Sequence, residues 1–302
     1  MLYLLGSIVL TSYLTLAIKA CERYQVSIFQ VILFNYFTCV VTGSFVNGGF
    51  PINASVTGTP WFRWACLMGV FFVSIFNTLG ATTQKIGVAV ASVANKLSLI
   101  IPVVLSVYLY GESIGIWKGI GVGLALLAVV LTCYRNKATS SEVDDNKQQA
   151  SHRYSLVPFL PLILFIGSGL LDALINHVQK NYVTEENSNA YLISGFLSAA
   201  TIGSCILLIQ YLRGKQVFAW KNLLAGIIIG VPNYFSIWCL VRFLKISPWQ
   251  SSASIPMNNM GIVLFSAVAA WLLFRERLSK ISWAGIVLSM VSIWLIAFGD
   301  SL

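Results

Sequence analysis

The chain has 302 residues; 57% of them are hydrophobic, only 10% are charged, and the formal net charge at pH 7 is +9. Because a soluble domain carries roughly 25% charged residues, this composition excludes an ordinary soluble protein. The apolar residues form continuous runs of about 20, which is the length of a helix that crosses a bilayer. The runs do not alternate as barrel strands do, so the sequence predicts an all-α polytopic membrane protein.

The first apolar run follows Met1 directly, without a basic segment, so we predict a retained span rather than a cleaved signal peptide. Ten runs in all are predicted to cross the membrane as helices. In chain order they are Leu2–Lys19, Ser27–Val46, Trp61–Ala81, Gly87–Tyr110, Gly115–Tyr134, Leu156–His177, Ala190–Leu212, Leu223–Leu244, Trp249–Phe274 and Ile281–Phe298.

A long polar stretch, Arg135–Arg153, separates the first five runs from the last five. It mixes basic and acidic residues without an apolar cluster, a composition typical of a flexible linker. We therefore predict a first five-helix unit over residues 1–134, a linker over 135–155 and a second five-helix unit over 156–302.

Landmark residues recur in the same order in the two halves, at separations between 160 and 166 residues. Because each half has an odd number of spans, the second half must enter the membrane in the opposite sense. Such 5+5 inverted-topology repeats build transporters whose site lies near the midplane between the repeats. The pairs are Gly6 with Gly167, Lys85 with Lys245, Asn95 with Asn259, Glu112 with Glu276, and Trp117 with Trp283.

Lysine and arginine residues divide unevenly between the two predicted faces of the membrane. The loops on one face carry 13 of them and those on the other carry 5. Since cytoplasmic loops are enriched in basic residues, this count places both termini outside the cytoplasm.

Two charged residues lie inside predicted spans. Lys96 is close to the middle of the fourth span, where a lysine costs roughly 2.5–3.5 kcal/mol on insertion scales. It is either a cationic anchor for a substrate or a structural lysine paired with Asp172. Asp172 is in turn either a proton carrier or only the partner of that lysine. Asn95 and Ser92 share the helical neighbourhood of Lys96, and Asn176 shares the face of Asp172.

Other polar residues recur at corresponding places. Asn258 and Asn259 either bind substrate or satisfy backbone groups that Pro256 frees. Three more polar residues either line a cavity or make buried bonds between helices. The predicted substrate-binding set is Lys96, Asn95, Ser92, Asn258, Asn259, Asp172, Asn176, Asn77, Asn233 and Tyr234.

Several classes of function find no support in the sequence. The six cysteines form no CxxC pair and the two histidines are far apart, so no metal or cofactor site is predicted. A membrane enzyme would need a catalytic histidine or paired carboxylates at one surface, and no long basic run with aromatics indicates nucleic-acid binding. The predicted partners are a small metabolite, membrane lipids and, through Asp172, a proton; the chain is a monomer or a homodimer.

The chain resembles the drug/metabolite transporter superfamily, specifically its ten-span EamA-type permeases. The resemblance is carried by the 5+5 layout, by Gly111-Glu112 and Arg275-Glu276-Arg277-Leu278 at the ends of spans four and nine, and by the Trp-x-Gly that follows each. Arg275 stands where a glycine is usual. Ala94-Asn95-Lys96 is similar to an Asn-Lys pair of nucleotide-sugar carriers, but that pair lies in the other half, so the substrate does not carry over.

The resemblance implies alternating-access transport of small metabolites, often export, driven by protons or by exchange. It also implies cytoplasmic termini, contrary to the charge count. The sequence thus predicts a secondary active transporter of a small polar or anionic metabolite, without a cofactor, in a bacterial inner membrane. A flippase for a lipid or lipid-linked sugar on the same scaffold is the alternative.

Overall fold

A computed structural model of the protein describes residues 2–110, 115–133, 157–184, 186–214, 217–246, 251–275 and 278–299. The predicted linker, Glu112 and Glu276 lie outside these residues. Within them the chain forms helices and turns and no strand. The helices are α1 (Leu2–Arg23), α2 (Ile28–Val46), α3 (Ala54–Thr57), α4 (Pro60–Lys85), α5 (Val88–Leu97), α6 (Ile100–Tyr110), α7 (Ile116–Cys133), α8 (Leu160–Asn181), α9 (Ser188–Leu212), α10 (Trp220–Ile246), α11 (Ser251–Phe274) and α12 (Lys280–Phe298).

The all-helical membrane architecture is confirmed. Eight helical segments of the described chain are long and apolar enough to cross a membrane, and α7 and α12 add shorter apolar segments. Nine of the ten predicted spans coincide with one helix each. The fourth, predicted over Gly87–Tyr110, coincides with the membrane-crossing segment Val88–Leu105, but this region is divided into two helices, α5 and α6, that meet at Ser98 and Leu99.

The break between α5 and α6 has a local cause. Pro102 lacks the backbone N–H that would bond to the carbonyl of Ser98, and its ring would collide with that carbonyl in a continuous helix. The Ser98 carbonyl instead accepts a bond from the Ile101 amide at 2.9 Å. The Ser98 hydroxyl donates to the Asn95 carbonyl at 2.6 Å, which satisfies one backbone group that the break exposes.

Close contacts at small residues fix the relative directions of the helices. In α7 and α12, a side chain at Gly121 would meet Ile296, and Gly285 lies against Thr132, so the two helices are antiparallel. Gly167 of α8 lies against Ile75 of α4, while the ring of Trp64, near the start of α4, contacts His177, near the end of α8. The helices α4 and α8 are therefore antiparallel as well.

The packing of the helices is the same when the two halves are exchanged. In the predicted repeat, α2 corresponds to α9 and α10 corresponds to α4. In the structure α2 contacts α10, and α9 contacts α4. Likewise α1 corresponds to α8, and α11 corresponds to α5 and α6 together. In the structure α1 packs on α10 and α11, and α8 packs on α4, α5 and α6. A two-fold relation between the halves requires this exchange, so the packing supports the predicted repeat.

Two glycines of α7 give a direct test of the α7–α12 contact. A side chain at Gly121 would come within 3.1 Å of the backbone nitrogen of Ile296, whereas one at Gly123 would meet nothing within 4 Å. We expect Gly121→Leu to destabilise the protein by about 1–3 kcal/mol through overpacking, and Gly123→Leu to leave stability unchanged. Thermal unfolding in detergent measures both, and equal melting temperatures would contradict the packing described.

Candidate functional site

The inner face of α8 changes from buried to open at Asp172. Leu164, Phe165 and Ser168 lie on one face of this helix and are buried. Asp172 lies one turn beyond Ser168 on the same face, yet its side chain is exposed although many protein atoms surround it. Asn176, one turn further, is exposed too. We infer from this combination of exposure and surrounding protein atoms that a cavity reaches Asp172.

The same change occurs along α5. Its residues from Val88 to Ala94 are all buried, whereas Asn95 and Lys96, directly before the helix break, are partly exposed. Within the described part of the chain, no hydrogen bond or ion pair holds the Lys96 ammonium, and the charged group that acts on it electrostatically is Asp172. The structure thus brings together the two opposite charges that the sequence analysis paired in one of its alternatives.

The crossing of α5 and α8 holds these two charges at the same level. Gly169 allows the approach, because a side chain there would come within 2.7 Å of the Ser98 carbonyl. The Ser98 hydroxyl lies 3.5 Å from Oδ2 of Asp172. Neither Ser98 nor Gly169 was predicted as a site residue. Pro102 could have indicated Ser98, because a proline interrupts the helical hydrogen bond to the carbonyl four residues before it.

The equivalent crossing in the other half is uncharged. There Ile8 of α1 packs against Gly261 of α11. The Ser12 hydroxyl lies 3.4 Å from the Ile262 carbonyl and accepts a bond at 3.2 Å from Ser266. The two crossings thus share a serine hydroxyl and one glycine, but only the α5–α8 crossing carries a carboxylate and an ammonium.

The other residues predicted to bind substrate lie apart from the open part of the cavity. Ser92, Asn258 and Asn259 are buried, and neither the Ser92 hydroxyl nor Oδ1 of Asn258 has a hydrogen-bond partner within the described chain. They become accessible only if the helices move, so their binding role stays a prediction.

Three predicted residues already make contacts within or between helices. The Asn233 amide donates to Oδ1 of Asn35 at 3.1 Å, which links α10 to α2. The Asn77 amide donates to the Val73 carbonyl of its own helix at 2.7 Å. The Tyr234 ring lies next to Gly43 of α2. Of these contacts, the bond of Asn233 is the buried bonding between helices that the sequence left open as an alternative.

The two ends of the bundle differ in their contacts. Since α4 and α8 are antiparallel, the end of α8, where Asn176 is exposed, lies with the starts of α4 and α1. On the opposite side, the Lys19 ammonium donates to the Gln84 carbonyl at 2.9 Å and pairs with Glu22 at 3.0 Å. The bond to Gln84 ties the end of α1 to the end of α4.

Charged groups within apolar membrane helices point to a functional site. No group of three His, Cys, Asp or Glu side chains in the described residues is placed to hold a metal ion. Residues 159–298 match the model of the EamA-like transporter family, so this part of the chain is similar to that family. The long apolar helices make the protein an integral, multi-pass membrane protein.

Two further proteins are similar over nearly the whole chain. An uncharacterized protein of Haemophilus influenzae (strain ATCC 51907 / DSM 11121 / KW20 / Rd) is 23% identical over 304 residues, covering 99% of this chain and 98% of its own. A solved crystal structure has a TM-score of 0.57 at 17% identity, covering 98% of this chain and 97% of its own. This second similarity shows the fold alone.

Cysteine labelling tests the opening of the cavity. In a variant without the native cysteines, we expect Asn176→Cys to react with a membrane-impermeant maleimide, because its side chain faces water. Ser168→Cys, two turns away on the same face, is expected to react at least about tenfold more slowly, because only 3% of Ser168 is exposed. Equal labelling rates would show that no such boundary exists.

Proposed function

We propose that the protein is a secondary active transporter that carries a small polar or anionic metabolite by alternating access across a bacterial inner membrane. Lys96, Asn95, Asp172 and Asn259 bound its central site. The observation that carries this proposal is that Lys96 and Asp172 act on each other from facing helices at positions that are not buried. A charge at this depth is costly unless it meets water, a partner or a ligand, and a bound substrate would supply the ligand.

The preference for an anionic group comes from Lys96. Its ammonium is partly exposed and has no hydrogen-bond or ion-pair partner among the described residues, so it is free to bind an incoming carboxylate or phosphate. The predicted repeat places Met260 where the first half has Lys96, and Met260 offers no charge. The site therefore has one cationic end, which would orient an asymmetric substrate.

Alternating access is supported by the arrangement of the helices. A packing that persists when the halves are exchanged is what alternation between two related arrangements would require. In the proposed cycle, the bond from Lys19 to the Gln84 carbonyl would hold the two helix ends together in one arrangement and break in the other.

The substrate is found first by comparing metabolites in cells and medium with and without the protein. Transport of that substrate is then measured in proteoliposomes. We expect Lys96→Met to lower uptake at least about tenfold, because a single charge-assisted bond is worth roughly 1.5–3 kcal/mol. The control is Arg213→Gln, which removes an exposed charge beyond the end of α9. Unchanged transport by Lys96→Met and Asp172→Asn would contradict the assigned site.

The role of Asp172 as a proton carrier has a separate test. If Asp172 carries the coupling proton, Asp172→Asn abolishes accumulation driven by a pH gradient but retains exchange of labelled for unlabelled substrate at equal concentrations. If both activities are lost together, Asp172 is required for the site itself rather than for coupling.

A further inference from the structure

A second cavity lies on the outside of the bundle, where α3 leads into α4. Its volume is about 670 Å³, and its wall includes Thr59, Arg63, Trp64 and Leu67 from the start of α4 and Tyr182 from the end of α8. It lies at the same membrane face as the mouth of the central cavity. The central site described above includes none of these residues.

The cavity faces away from the protein interior. Arg63, Leu67, Val70 and Ser74 follow one another on one face of α4 at spacings of four, three and four residues, and all four are exposed. Met68 and Phe72, on the opposite face, are buried in the bundle. The face that carries Arg63 therefore meets the surrounding lipid, with Leu67 and Val70 continuing from the cavity toward the bilayer core.

The chemistry of this cavity is cationic and aromatic. Arg63 has no ion pair among the described residues. The rings of Trp64 and Tyr182 lie 6.3 Å apart, and both contact the His177 ring. Tryptophan and tyrosine are enriched at the depth of lipid headgroups. The first turn of α4, a helix of 26 residues, adds the positive end of its dipole next to Arg63.

We propose that this cavity binds an anionic phospholipid, with the headgroup phosphate on the Arg63 guanidinium and an acyl chain along Leu67 and Val70. A guanidinium bonds a phosphate through two parallel N–H groups, and basic pockets between membrane helices bind such headgroups. The exposed apolar face that leads out of the cavity fits an acyl chain. A free phosphate ion has no acyl chain and would leave this face uncovered.

The binding is measured on the purified full-length protein by native mass spectrometry, with titration of phosphatidylglycerol and, separately, phosphatidylcholine. We expect Arg63→Gln to weaken phosphatidylglycerol binding about fivefold, since one basic residue near a headgroup contributes about that factor. Phosphatidylcholine has the same phosphate but a positive choline beside it, so it is expected to bind the unmodified chain more weakly and to lose less affinity in this variant. Arg63→Lys, which keeps the charge, retains most of the affinity and shows that the fold is intact.

The matched control is Arg242→Gln. Arg242 is also exposed and lies at the same membrane face, but it stacks on Trp238 at 5.2 Å, outside the cavity. This variant is expected to bind phosphatidylglycerol as the unmodified chain does. Equal affinity of Arg63→Gln and the unmodified chain would overturn the proposal. Competition by glycerol phosphate as strong as by the lipid would also overturn it, because the cavity would then bind a free anion.

Discussion

The cost of placing charge inside a bilayer governs the arrangement of this protein. A lysine at the centre of a span is unfavourable by roughly 2.5–3.5 kcal/mol, so Lys96 requires water, an opposite charge or a ligand. The structure supplies an opposite charge, because Asp172 acts on it from the facing helix, and neither residue is buried.

The break between α5 and α6 determines how these two charges meet. Pro102 removes the helical hydrogen bond that residue 102 would donate to the Ser98 carbonyl. This carbonyl lies close to α8, and the approach is possible because residue 169 is glycine. A backbone break of this kind is tolerated at membrane depth where it is buried in protein or lines water. Ser98 lies at the break, and its hydroxyl lies 3.5 Å from Oδ2 of Asp172. A change in the charge of this carboxylate can therefore affect the position of α6.

The two halves share a framework but differ in chemistry. The crossings of α5 with α8 and of α11 with α1 both use a serine hydroxyl and a glycine, yet only the first has ionisable groups. Under the proposed mechanism, the symmetric framework would let the bundle rearrange between two related packings, and the asymmetric site would hold a ligand with one charged end in one orientation.

The sequence by itself determined the membrane class, the positions of the helices and the two intramembrane charges, because continuous apolar runs and a charge within them are local properties of the chain. It predicted one continuous fourth span, since hydropathy does not register the loss of a single hydrogen bond at Pro102. It left open whether Asn233 lines a cavity, and its bond to Asn35 appears only once α2 and α10 are packed. Only the tertiary structure decided that Asp172 is exposed while Ser168, on the same face of α8, is buried. That difference depends on how far neighbouring helices diverge, which is set by contacts between residues distant in sequence.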